Sequence, residues 1–448
     1  MARGGAIAPA HAAGPRRMLF GHPPGLTVLF LTQMWAEFSY FGLQAMLVYY
    51  MTGHLGFSQA RSSLIYGAYG ATAFFSPFFG GIIADRWLGR TKSVVLGGLM
   101  MMIGHFAMAF EPLLFPALAL VALGNGLFIP PLAVQVGSLY ADDDPRQAQA
   151  FSAYYMGINL GGLLAPLVCG TLGEEFGWHW GFAAAGIGMG IGLIVYLRYS
   201  RLLPVDPPVA RHTARDAPPL ALTPEDWRHL RLLVAMIAAI VLFRVAYEQS
   251  GNVIALWVAH QTDRRLDLFG LGVEIPATWF QSINPLLIIV LTPLLIRWWR
   301  RQDKGSSPAV LFARMSLGCL VAALAMVVMV VAAAVNIATG KPVGPGWVVG
   351  YFVLLTIGEL YAIPVGLSLI GKLSPKRIAA MLMGSWYIAK FLGSLLAGVM
   401  GAYWGVLPAT SFFGLGAISV FAAAIVLLLM SRAEAVCDQT GTRVTGDR

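Results

Sequence analysis

Apolar runs of about 20 residues, the length a helix needs to cross a bilayer, follow one another along the chain between short stretches rich in proline, glycine and charge. Their spacing predicts twelve transmembrane helices, roughly at 25–51, 64–84, 94–112, 114–139, 149–171, 178–197, 229–258, 278–298, 309–335, 347–371, 378–402 and 408–431. Between the sixth and the seventh the pattern breaks into RLLPVDPPVARHTARDAPPLALTPED, a proline-rich, charged stretch of the kind that links domains. The chain therefore divides into a polar segment at 1–24, a six-helix bundle at 25–200, a linker at 201–227, a second six-helix bundle at 228–432 and a short polar tail at 433–448. Two helical bundles joined by a long connector form the plan of transporters that rock about a site near mid-membrane. A twelve-helix enzyme or scaffold has the same count, so layout alone leaves that class open.

Composition agrees with the pattern: 448 residues that are 58% hydrophobic and only 11% charged are too apolar for an ordinary soluble chain. The net charge of +9 raises the question of an anionic partner. Its distribution answers it. With the N-terminus inside, 24 of the 30 Lys and Arg fall on one face and four (Arg61, Arg264, Arg265 and Lys341) on the other, while Arg244 and Lys390 lie within helices. That asymmetry is the positive-inside rule. It predicts a multi-pass inner-membrane protein with both termini cytoplasmic, and it leaves no basic excess for nucleic acid.

Residues 1–24 have no short apolar core followed by a small-residue cleavage site, so the first helix is expected to stay. Cys169, Cys319 and Cys437 have no metal or redox spacing, and no HExxH, GxSxG or cluster of Cys and His occurs. We therefore expect no catalytic residues, no metal and no cofactor. The acidic run Asp142, Asp143 and Asp144 reads as a solvated turn, and His105 as a packed, hydrogen-bonded membrane histidine.

Candidate chemistry lies in the charges inside the hydrocarbon. Three acids, Glu37, Glu248 and Glu359, and two bases, Arg244 and Lys390, interrupt four of the predicted helices. Each costs about 2.5 to 3.5 kcal/mol at the bilayer centre on insertion measurements, so they are expected to face one polar cavity rather than lipid. Glu37, Glu359 and Lys390 each lie 12 residues beyond their helix's start, about 18 Å at 1.5 Å per residue and thus near mid-membrane. Arg244 and Glu248 are four apart and share a helix face. The alternative is that these groups merely pair to hold helices together. With three acids to two bases, one carboxylate lacks a full partner and is the natural proton carrier, because burial penalises an unpaired charge.

At the end of the second helix GGIIADRWLGRTKS combines close-packing glycines with paired charges. Gly81, Asp85, Arg86, Gly89 and Arg90 are its candidate gate residues, the alternative being loop charges that simply stop the helix.

Together with FSAYYMGINLGG, FRVAYEQSGN through EIPATWFQSINP, and IGELYAIPVGLSLIGKLSPKRIAAMLMGSWY, this motif resembles the proton-dependent oligopeptide transporter family of the major facilitator superfamily, over about residues 28–430. The resemblance implies an all-α integral membrane protein with the major facilitator fold, proton-driven uptake of di- and tripeptides, and a monomer. By resemblance Asn159, Asn284 and Glu359 recognise a peptide's amino end, Trp386 is a pocket aromatic, and Glu248 is linked to proton coupling. Tyr40, Phe41, Phe74 and Tyr155 complete the candidate substrate pocket, and Glu37, Glu248, Arg244 and Lys390 are the candidate proton-coupling set.

The chain departs from the family in its first helix. The ExxER acids and arginine fall on Gln33, Ala36 and Glu37, a further basic position on Gln44, and the fourth-helix lysine on Ile129. Arg244 and Lys390 offset the lost bases at new positions, so Glu37 is expected to face one of them across the two bundles. The lost bases also leave open a proton-coupled importer or exporter of an amine-bearing solute without a free carboxylate.

Overall fold

Helix starts are encoded locally at several places. Thr223 accepts from the Asp226 amide while the Asp226 carboxylate accepts from Thr223, and Pro224 follows at the first helical position. Ser307 before Pro308 and Ser58 before Gln59 cap more simply, their hydroxyls accepting from the Val310 and Arg61 amides. The computed structural model describes residues 21–141, 144–206, 223–268, 271–301, 307–375 and 378–446. Most of the predicted segment 1–24 and most of the linker 201–227 lie outside the described residues, as do Asp142 and Asp143.

Among the described residues the chain forms twelve long rods. The first four are α1 (Pro24–Tyr49), α2 (Gln59–Ile83), α3 (Arg90–Ala107) and α4 (Leu114–Gly137). The fifth runs through α5 (Arg146–Ala165), a π turn at Pro166–Gly170 and α6 (Thr171–Phe176), and the sixth is α7 (Trp178–Arg198). In the seventh, α8 (Pro224–Tyr247) passes through a 3₁₀ turn at Glu248–Gly251 into α9 (Val253–Gln261). The remaining rods are α10 (Ile283–Arg301), entered through a 3₁₀ segment at Ala277–Ser282, α11 (Pro308–Thr339), α12 (Gly346–Leu373), α13 (Ala379–Ala402) and α14 (Ala409–Gly446). Nine rods are long and apolar enough to cross a membrane by length and composition alone. The other three, α1 to α3, carry more polar positions, such as Thr32, Gln33, Glu37, Ser39 and Gln44 on α1. One feature has no counterpart in the hydrophobic reading: between α9 and the 3₁₀ segment, β1 (Arg265–Leu268) pairs antiparallel with β2 (Leu271–Glu274).

Buried apolar side chains fall into two cores. One is built from Leu26 to Tyr196, the other from Leu233 to Met430 with Val48 and Tyr49 of α1 added. Polar latches join the halves at the face away from the termini. The Tyr49 hydroxyl donates to Ala255 O at 2.9 Å, Ser63 Oγ to Asn252 Oδ1 at 2.9 Å, Gln59 Nε2 to Gly401 O at 3.0 Å, and Trp279 Nε1 to Thr171 Oγ1 at 2.7 Å. Glu174 accepts from the Ala277 and Thr278 amides at 2.9 and 2.8 Å and from Thr278 Oγ1 at 2.7 Å, so a carboxylate of one bundle caps a helical turn of the other. Gly67 and Gly398 let α2 and α13 touch backbone to backbone, since a Cβ at either would meet main-chain atoms of the other helix. On the face carrying the termini, no hydrogen bond between described residues joins the two halves. The structure is closed on one side only.

Candidate functional site

A helix break organises the centre. Gly251 lies so close to the Tyr66 hydroxyl that any side chain there would collide with it, and Asn252 leaves helical geometry at φ −113 and ψ −93 to meet Ser63. The seventh rod is thereby drawn against α2. Glu248 lies at the start of the break and Arg244 one turn before it. Both are buried and pair with each other. Arg244 also stands over the ring of Tyr247 at 4.8 Å and that of Phe74 at 5.4 Å.

Glu359 on α12 sits in a cradle of donors. Asn284 Nδ2 donates to its Oε2 at 2.9 Å and the Tyr247 hydroxyl towards its Oε1 at 3.2 Å, while Asn284 is oriented by Thr356 Oγ1 at 2.9 Å. Three rods, the seventh, eighth and tenth, thus fix one buried carboxylate. Across the interface Glu37 receives Gln33 Nε2 at 2.6 Å, and Gln33 Oε1 accepts from the Tyr154 hydroxyl at 2.7 Å. The cation that acts on Glu37 is Lys390. Lys390 in turn feels Arg244, Glu248, Glu37 and Glu359, so all five charges form one electrostatic cluster between the bundles. Its Nζ lies 4.8 Å from the Phe74 ring and 5.9 Å from that of Tyr387.

Exposure within this cluster reveals a space. Tyr155 is 43% exposed yet within electrostatic reach of Glu359, and Tyr387 is 37% exposed yet beside Lys390 and in reach of Glu37. Both rings are open although each lies beside a buried charge of the cluster. Of the other candidate residues, Phe74 is half-buried and its ring lies near both cations, Arg244 and Lys390. Tyr40 is buried, stacked on Tyr69 at 6.0 Å, and its hydroxyl has no partner among the described residues. Phe41 packs against Gly162. Asn159 donates to Tyr155 O on its own helix at 3.0 Å, and Trp386 is packed into the C-terminal core against Gly366. Among the described residues, no hydrogen bond or cation–ring contact joins these last three to the charged cluster.

The comparisons agree with this architecture. Residues 29–380 match the family model described as Major Facilitator Superfamily. The uncharacterized transporter YclF of Bacillus subtilis (strain 168) is 32% identical over 93% of this chain and 95% of its own length. The peptide transporter YePEPT of Yersinia enterocolitica subsp. palearctica serotype O:3 (strain YE-P4) is 30% identical over 92% of this chain and 95% of that protein. A crystal structure of a POT family transporter in complex with 5-aminolevulinic acid matches with a TM-score of 0.85 at 26% identity, covering 94% of this chain and 98% of that one. The chain belongs to the proton-dependent oligopeptide transporter family of the Major Facilitator Superfamily. It is an all-α membrane transporter of the major facilitator fold and not an enzyme.

In this transporter the GGIIADRWLGRTKS stretch forms a π turn at Ala84–Leu88, and Gly89, at φ 79, turns the chain into α3. A side chain would be strained there. Asp206 accepts from the Thr91 amide at 2.8 Å, and Arg90 donates to Ser138 Oγ at 3.0 Å. Asp85 and Arg86 are exposed and Gly81 half-buried. Between described residues none of these charges bridges the bundles, in keeping with the open terminal face. The residues that sequence reading missed are Tyr154, Tyr247 and Tyr387. The signal was positional: Tyr247 is three residues from Arg244 and Tyr387 three from Lys390, one helical turn away on the same side.

Proposed function

We propose that this transporter couples inward proton flow to uptake of di- and tripeptides, with the latched face outside and the termini in the cytoplasm. The carrying observation is the single cluster of Glu37, Arg244, Glu248, Glu359 and Lys390 drawn from both bundles. Glu359, held by Asn284 and Tyr247, takes the peptide's ammonium. Glu37, which has Lys390 as its cation but no ion pair with it, takes the proton. Protonation of Glu37 removes an attraction between α1 and α13, which belong to different bundles, and so favours their separation on the terminal side. The basic residues concentrated at the terminal face support the orientation. A relative named as a peptide transporter and a neighbour holding 5-aminolevulinic acid, an amine with a carboxylate, favour peptides over a solute without a free carboxylate.

The test is uptake of a labelled dipeptide by the purified protein in vesicles, with and without an inward proton gradient. Gradient-dependent accumulation is expected, and Glu37→Gln is expected to abolish accumulation while leaving peptide exchange. Accumulation by Glu37→Gln equal to that of the unaltered protein would overturn the role of Glu37. Absence of gradient-driven uptake by the unaltered protein would overturn the function.

A further inference from the structure

The cluster's charges are not equally satisfied. Arg244 is neutralised by Glu248, and Glu359 is held by two neutral donors. Lys390 is half-buried, makes no hydrogen bond and no ion pair with any described residue, and has only the faces of Phe74 and Tyr387 beside its ammonium. Cation–ring contacts compensate a desolvated ammonium only in part. A half-buried ammonium beside the exposed Tyr387, with no anion of the described residues in contact, is suited to receive one.

Its position says which. Three carboxylates, Glu248, Glu37 and Glu359, act on Lys390, and none of them forms an ion pair with it among the described residues. Two of them, Glu248 and Glu37, already engage Arg244 and Gln33. The amine-binding carboxylate on α12 and the free ammonium on α13 belong to one electrostatic cluster, and an extended dipeptide carries its two charges about 7 Å apart. Building on the peptide reading above, we infer that Lys390 binds the carboxylate of the cargo and sets the preference for peptides with a free C-terminus. A second consequence follows from Lys390 being the cation of Glu37. Once a cargo carboxylate contacts the ammonium, less positive charge remains for Glu37, and a proton from the outer solution binds there. Cargo and proton are therefore linked through one lysine.

The probes are alanyl-alanine and its C-terminal amide, taken up by the full-length protein in vesicles. The unaltered transporter is expected to favour the acid over the amide by about 10- to 100-fold in KM, the range of one charge-assisted contact. Lys390→Gln is expected to bring the ratio near one by weakening the acid selectively, the two KM values being compared at whatever absolute rate the variant retains, because Lys390 also acts on Glu37. Lys390→Arg is expected to keep a preference. An unchanged ratio in Lys390→Gln, or no preference in the unaltered protein, overturns the inference while leaving peptide transport standing. If Lys390→Gln moves neither peptide, Lys390→Arg decides: a retained preference supports the assignment and a lost one overturns it. If the unaltered protein moves neither peptide, the peptide reading itself falls and the inference with it.

Discussion

Glu359 owes its usefulness to the company it keeps. Asn284 and Tyr247 hold both carboxylate oxygens from neighbouring rods, so a buried acid is fixed without a fixed counter-charge. Glu359→Gln keeps the shape and removes the charge. Dipeptide KM is expected to rise about 10- to 100-fold, with uptake of an N-acetylated dipeptide unaffected, as measured by competition in vesicles. All five charges of the cluster were legible in the sequence because an ionised residue in an apolar run stands out. Their partners were not. Tyrosine and glutamine occur throughout membrane helices for packing, so a place one turn from a charge, as for Tyr247 and Gln33, does not by itself say which carboxylate the side chain holds. Which base would face Glu37 was likewise open until Arg244 was found paired with Glu248.

The rods themselves were read from apolar run length, and their breaks were not. Gly251 and Asn252 interrupt the seventh rod because Tyr66 and Ser63 of another helix stand beside them, a contact with no signature in the broken segment itself. The hairpin of β1 and β2 went unread for a related reason: its short, mixed sequence follows a helix whose apolar pattern dominates the region. Two capping contacts give direct tests. Asp206 caps α3 from beyond the sixth rod, so Asp206→Ala is expected to lower stability by about 1 kcal/mol, read from thermal unfolding in detergent. Glu174 holds three donors of the opposite bundle. Glu174→Ala is expected to loosen the latched face, measured as faster reaction of a cysteine placed at Gln44 with an impermeant thiol reagent added from that side. Unchanged labelling would show that the other latches suffice.

The two cores are distinct, and the hydrogen bonds that join them among the described residues lie on the side away from the termini. Switching to the opposite opening must break these latches together. Gly398→Leu is expected to prevent the close approach of α2 and α13 and to hold the latched face apart. Gradient-driven uptake should fall sharply, while the Gln44 position becomes reactive from the outside. Normal uptake in that variant would mean that the approach at Gly67 is dispensable. The two glycines meet through main chain alone, so the pivot has no rotamers to reset as the halves tilt. A smooth bearing of this kind leaves the polar latches and the cargo, rather than friction at the axle, to set how often the carrier turns over.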